Sequence, residues 1–305
     1  MYGFKYFNAP QKRLQQAWFT WKLSGDVQYH AILDDSLYAI VRNNSKDVIQ
    51  KFDIKILDDS RLVTDDRQTA STEDDITYRV HLDNNAIVAS TALTYSATTN
   101  KTTFTLPTGF NNSSGQLAVY VVPSASDDTF QGMTANATLN GSTVELTGNW
   151  KTYLEDQNNP TTPHDPTDDT TITPANNLYL GYLFDYEVEF PTIHVTRREG
   201  ESWRSDTRGS LVVHRAKLSL GASGLYETIL KRIGKDDYTE VWEPIIPDAY
   251  SANQIQFTEE SIKTIPIYER NTNTTLTLKS THASPATLYS MSWEGDYNPR
   301  FYQRV

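Results

Sequence analysis

Between residues 29 and 54 the chain passes three times through a short β-rich run and twice through turn-forming residues, with no helical period between them. The runs are 29–33, 36–42 and 48–54. Asp34-Asp35 and Asn43-Asn44-Ser45 separate them, residue types that accept the backbone of a tight hairpin. In the third run Ile49, Lys51 and Asp53 fall on one face and Val48, Gln50, Phe52 and Ile54 on the other, the period of two of a pleated strand. Upstream, residues 17–23 add a further run in which Trp18 and Phe19 alternate. Four antiparallel strands at this spacing predict one sheet of about 40 residues, the size of a propeller blade. Such a sheet cannot bury both faces by itself and needs neighbours.

The same period governs the remainder. Strand patterns recur at 76–80, 103–106, 116–122 and 142–146, and Asn140-Gly141 marks a hairpin turn. Residues 108–115 read as a loop from their composition. Pro160, Pro163, Pro166 and Pro174 punctuate a Thr/Asp-rich connection that is unable to pair in a central strand. Strands follow at 178–184, 186–190, 193–196, 211–220, 274–278 and 289–295. Residues 225–233 fit strand or short helix; strand is preferred, since a period of two also accommodates Leu225, Ile229 and Ile233. The class is all-β: a partial propeller blade at 1–57, an acidic connecting β segment at 58–90, and an inserted Thr-rich acidic β domain at 91–157. A linker at 158–174 then leads to a sandwich-like or barrel-like antiparallel domain at 175–305. Residues 1–57 are expected to fold only by packing on the C-terminal domain; clean proteolytic removal leaving a soluble, cooperatively unfolding remainder would contradict this.

Composition narrows the function. Hydrophobic residues make up 38% of the 305, enough for a core, which excludes global disorder. No run approaches the ~18 apolar residues of a membrane helix, and residues 1–7 lack the apolar centre of a signal peptide. Cysteine is absent, which excludes disulfide scaffolds, thiolate catalysis and cysteine-ligated metal sites. The net charge of −11 opposes tight nucleic-acid binding, which needs a cationic face. Its distribution is uneven: +3 over residues 1–57, −11 over 58–169 and −3 over 170–305.

Tests for chemistry return no site: no catalytic, cofactor-binding or metal-binding residue is assigned, and no cofactor is implied. His30, His81, His164, His194, His214 and His282 lack metal-ligand spacing. His194 and His214 share a predicted domain and could meet, although a satisfied strand histidine is the commoner case. Asp165, Asp168 and Asp169 lack the glycine and terminal glutamate of a calcium loop. Asp65/Asp66 and Glu259/Glu260 are adjacent pairs, so in a strand each pair points to opposite faces, unlike the facing carboxyls of a glycosidase. Trp18, Trp21, Tyr179, Tyr182 and Tyr186 offer either a sugar-stacking platform or core packing. Arg197-Arg198, Arg204 and Arg208 are interleaved with Glu199, Glu201 and Asp206, the pattern of a solvated or interface loop.

Two stretches carry a resemblance. Residues 5–23, with Ala17-Trp18-Phe19-Thr20-Trp21, and the C-terminal elements Thr207-Arg208-Gly209-Ser210-Leu211, Lys263-Thr264-Ile265-Pro266-Ile267 and Trp293-Glu294-Gly295-Asp296-Tyr297 are similar to the tail nozzle proteins (tail tubular protein B) of short-tailed bacteriophages. The match covers about two thirds of the chain in matching order, least well in the acidic middle. Such nozzles are usually more than twice as long, so the chain is expected to be a C-terminal fragment or the product of a divided or shortened gene. The resemblance implies a non-enzymatic virion protein assembled in the host cytoplasm. It further implies a homo-hexameric distal ring that contacts the tail adaptor and tail fibres and passes double-stranded DNA during ejection without specific binding. An acidic or neutral wall suits that passage, because it avoids phosphate contacts that would arrest a polyanion. Adaptor docking is not carried over, since its residues would precede this chain. Contact with the host envelope, as a saccharide-binding tail module, is the alternative; a polysaccharide-degrading enzyme is the third class.

Overall fold

A computed structural model describes residues 2–9, 12–20, 22–23, 25–34, 36–43, 45–52, 62–65, 76–110, 115–121, 132–151, 153–155, 170–172, 178–199, 202–242, 254–255 and 260–299. Among them the secondary structure is antiparallel strand with two short 3-10 turns, Ser90–Ala92 and Asn271–Asn273. The all-β expectation holds, and no described sheet closes into a barrel, so the barrel-like alternative falls away. The chain divides into two compact units, one of residues 1–64, 79–128 and 132–184, the other of 65–78, 129–131 and 185–305.

In the first unit, Asp26–Leu33, Ser36–Asn43 and Lys46–Phe52 form a three-stranded meander in sequence order. Leu33 pairs with Ser36 and Asn43 with Lys46, so both turns hold two residues. Asp34 (φ 47°) and Ser45 (φ 65°) take the left-handed backbone there, as the turn chemistry predicts. The expected fourth strand is not part of this sheet. Lys12–Thr20 instead pairs with Tyr2–Ala9 in its own hairpin, with a bulge at Phe7/Asn8. A strand pairs with whichever neighbour completes its ladder, and here the preceding segment supplies it. The meander therefore has three strands, not the four of a blade. Leu37, Ala39 and Val41, alternating on its central strand, are buried.

Two larger sheets and the short pair Tyr153–Glu155 with Thr170–Ile172 complete the described part of this unit. Thr138–Asn140, Thr143–Thr147, Lys101–Thr105 and Thr94–Ser96 lie side by side in that order. Gly141 (φ 64°) begins a two-residue Gly-Ser turn, so the Asn140-Gly141 hairpin signal is borne out one residue along. Phe104, Val144 and Leu146 fill the buried face, and Trp150 caps it. The Trp150 backbone N–H donates to Thr102 Oγ1 (2.9 Å), which itself donates to Gly148 O (2.7 Å). In the other sheet Leu117–Val121 runs between Gly132–Asn136 and Leu178–Tyr182, and Asp83–Val88 lies beyond the latter. Its central strands are apolar on both faces: Leu117, Ala118, Val119, Tyr120, Leu178, Leu180 and Tyr182 are all buried. By its pairing, Leu178–Tyr182 belongs with the middle of the chain and not with the strands that follow it.

The second unit contains a sandwich. One sheet has the order Tyr186–Glu189, Thr274–Ser280, Tyr226–Arg232, Tyr238–Trp242; the other has Ser261–Arg270, Ser210–Ser223, Ala286–Asn298. Within 225–233 the segment Tyr226–Arg232 is strand, as preferred from the sequence. A single core joins the layers: Leu211, Val213, Ala216, Leu218, Leu220, Ile265 and Ile267 from one sheet, and Tyr226, Leu230, Leu276 and Leu278 from the other. Each large aliphatic side chain buried there contributes about 1.5–3 kcal/mol of transfer free energy.

Candidate functional site

The C-terminal segments that carry the nozzle resemblance meet on the three-stranded sheet of the sandwich. Its central strand, Ser210–Ser223, turns Leu211 and Val213 inward, then Ala216, Leu218 and Leu220. The parity changes between Val213 and Arg215, where both pairings shift register: the central strand has one residue more than Ala286–Asn298 there and one fewer than Ser261–Arg270. Arg215, Lys217 and Ser219 consequently face away from the core. Opposite them stand Glu294, Ser292 and Ser290 on one side and Pro266, Thr264 and Ile262 on the other.

Glu294 organises this outer face. Arg215 Nε donates to its Oε2 (2.9 Å) and Lys217 Nζ to its Oε1 (2.6 Å). The hydrogen bond from Lys217, aided by the Arg215 charge, holds the Glu294 carboxyl below the usual carboxylate range. Gly295 packs on the Val212 carbonyl so closely that a Cβ has no room. Trp293 turns the other way, onto the core. Next in sequence, Asp296 Oδ2 pairs with His214 Nε2 (3.2 Å), and the His214 ring stacks on Tyr268 (5.6 Å between centroids, 21° between planes). Tyr268 holds φ 48°, a left-handed backbone uncommon for an aromatic residue.

At one end, Asp206 builds a turn: its Oδ1 accepts the backbone N–H groups of Arg208 (2.9 Å) and Gly209 (3.0 Å), and its Oδ2 accepts the Tyr297 hydroxyl. The Tyr297 ring lies against Gly209, where any side chain would collide. The other end repeats the device, with Tyr289 resting on Gly221, whose added Cβ would sit 2.5 Å from the ring. At the open side of the sandwich Lys263 donates to Glu240 and lies 4.8 Å above the Trp242 ring, which stacks on Tyr226 (6.2 Å). Burial pushes the Tyr226 hydroxyl up, so it stays protonated.

The residues considered from sequence scatter among unrelated environments. His194 and His214 have different partners, the former being 3.4 Å from Asn271 Nδ2. His81 packs on Phe184 (5.8 Å), and burial pushes it down to about 4. His282 accepts the Ser284 backbone N–H through Nδ1 (3.3 Å) and is lowered by burial; His30 is exposed opposite Ala39. Among the described residues no group of three His, Cys, Asp or Glu gathers as metal ligands would. Tyr182 is buried against Phe110 (5.6 Å), and Tyr186 packs on the sandwich core. Tyr179 and Tyr182 differ in parity along one strand, so these two rings point to opposite faces of their sheet. Arg197 pairs with Arg204 across a hairpin, and Arg204 and Arg208 are exposed, in keeping with a solvated loop. His164, Asp66, Asp165, Asp168, Asp169, Glu259, Trp21 and the four linker prolines lie outside the described residues, as does the Trp18 side chain. Sequence reasoning missed the roles of Asp206, Glu294 and Tyr268. The available signal was glycine in or beside strand positions opposite tyrosine, at Gly209/Tyr297 and Gly221/Tyr289, where a ring covers a residue without a side chain.

The fold and this site define an all-β protein whose most elaborated described surface is a braced sheet face. A family model described as bacteriophage nozzle protein matches residues 1–304, essentially end to end, and the chain belongs to that family. It is thus a structural component of the phage tail and a part of the virion. The match runs through the acidic middle region, further than the two thirds expected from sequence. No curated protein matches the chain.

Proposed function

We propose that this chain forms part of the distal conduit of the tail, as a homo-hexameric ring through which double-stranded DNA leaves the particle. The family match over residues 1–304 carries the reading. The charge supports it: a surplus of −11, equal to the net charge of residues 58–169 alone, repels phosphate and leaves a passing duplex unbound. The role is mechanical and needs no catalytic residue. Assembly takes place in the host cytoplasm before release, with the tail adaptor and fibres as neighbours.

Light scattering of the purified chain over a concentration series tests the ring, a closed sixfold species being the expected result. In intact particles, an antibody to the chain should label the distal tail and block the release of dye-detected DNA. Labelling confined to the capsid or fibre tips would overturn the conduit reading.

A further inference from the structure

The outer face of the three-stranded sheet has two exposed tyrosines that the ion pairs do not use. Tyr268 is 65% and Tyr289 is 62% exposed, yet neither ring hangs freely. Tyr268 is backed by the His214 imidazole and Tyr289 by Gly221, so each has one face against protein and the other toward solvent. The two supports, His214 and Gly221, stand seven positions apart on the central strand, a span of about 20 Å at strand rise. Between them lie the braced Arg215–Glu294–Lys217 set and the hydroxyls of Thr264 and Ser292. Tyr268 also holds its left-handed backbone with no glycine to ease it, and strain of this kind persists where the surroundings impose it and clusters at binding sites.

We propose that this face binds a neutral polysaccharide, laid along the central strand with sugar rings stacked on Tyr268 and Tyr289 and its hydroxyl groups bonded to the polar strip between. A pyranose ring has an apolar C–H face and a polar rim, which matches a supported aromatic beside fixed charges and hydroxyls. Rings and charges that are already immobilised lose little entropy on binding. The competing occupants fit less well. A DNA backbone needs uncompensated cations, whereas Arg215 and Lys217 are both engaged here by Glu294. A protein interface has a dry apolar centre, and this face has its charges there. The proposal stands apart from the conduit reading, since a ring could form without it.

Affinity electrophoresis of the full chain through gels containing dextran, mannan, galactan or glycogen, with dextran sulfate as the anionic comparison, tests it. At least one neutral polymer should retard the chain. Tyr268→Ala and Tyr289→Ala should each weaken binding at least about tenfold, and the double variant should migrate as in a plain gel. Tyr289→Trp should restore retardation, and Tyr29→Ala, an exposed tyrosine on the other three-stranded sheet, should leave it unchanged. Tyr268→Gly separates binding from folding: relief of the backbone strain should raise the melting temperature while binding falls. No retardation by any neutral polymer, retardation by dextran sulfate alone, or retardation unchanged in the double variant would overturn the proposal. A lowered oligomeric mass of the double variant would also overturn it, since the face would then join copies of the chain.

Discussion

The meander of residues 26–52 and the three-stranded sheet of the sandwich share one pattern, a central strand between two antiparallel edges, yet they are built differently. In the meander the strands follow one another through two-residue turns. In the sandwich sheet the central strand comes first and its partners begin about 40 and 65 residues after its end register, so pairing waits on distant segments. Burial differs in step. The meander buries the alternate residues Leu37, Ala39 and Val41 of its central strand and leaves Tyr29, Ile32 and Ile49 open, the last at 71% exposure. The sandwich sheet buries side chains from its central strand and from Ser261–Arg270 against a second sheet. Local turn chemistry is enough to pair strands, whereas a filled core needs a second layer.

The largest test of that contrast is truncation at the two centres. Leu218→Ala should cost about 3 kcal/mol, since the cavity opens between two sheets. Leu37→Ala, at the rim of the meander, should cost less than about 2 kcal/mol. Urea unfolding followed by circular dichroism gives both values, and equal losses would break the contrast. Next come the glycines packed on neighbouring backbone. Gly295→Ala should cost about 1–3 kcal/mol because the Val212 carbonyl occupies the Cβ position. Gly25→Ala, where the Arg42 carbonyl lies 2.7 Å from the added Cβ, should fall at the lower end.

The ion pairs follow. Lys217 holds Glu294 below the usual carboxylate range, and Arg42 does the same for Asp47 on the meander. A depressed carboxyl stabilises the fold above its unfolded value and loses that contribution as pH falls through the folded one. Melting temperature from pH 7 to pH 3 should therefore decline less in Glu294→Gln and Asp47→Asn than in the parent. The Glu294 difference should be the larger, because its carboxylate bridges two cations, and a reversed order would count against the brace. The smallest effects belong to Ile49→Thr and Ile262→Thr, both exposed, within about 0.5 kcal/mol of the parent. A larger loss at Ile49 would mean that the meander's open face is covered in solution.

The legible parts of this fold are those in which neighbouring residues decide the outcome. Asp34, Asn140-Gly141 and the alternation of residues 48–52 announced their hairpins correctly, and the period of two identified Tyr226–Arg232 as strand. Partner choice over distance was not legible. Residues 17–23 looked like the first strand of a blade, yet residues 17–20 belong to Lys12–Thr20, which pairs with Tyr2–Ala9; Leu178–Tyr182 looked like the start of the C-terminal domain and pairs with Leu117–Val121. At the site, Trp293-Glu294-Gly295 was legible as a family signature, but its physical work was not. Glu294 needs Arg215 and Lys217 from a strand some 80 residues earlier, a meeting that only the folded register reveals.

The bulge after Val213 has a consequence for changes in chain length. In a regular strand, one residue gained or lost exchanges the two faces of everything beyond it. Here the inward set is Leu211 and Val213 before the bulge and Ala216, Leu218 and Leu220 after it, so removing His214 would leave a single unbroken alternation with the same side chains inward. Removing Lys217, only three positions later, would turn Leu218 and Leu220 outward and empty the core. Deleting His214 would make the pairing with Ala286–Asn298 regular but leave two unmatched residues in Ser261–Arg270, the edge that carries Tyr268, so the bulge reconciles two partners that demand different lengths of the central strand.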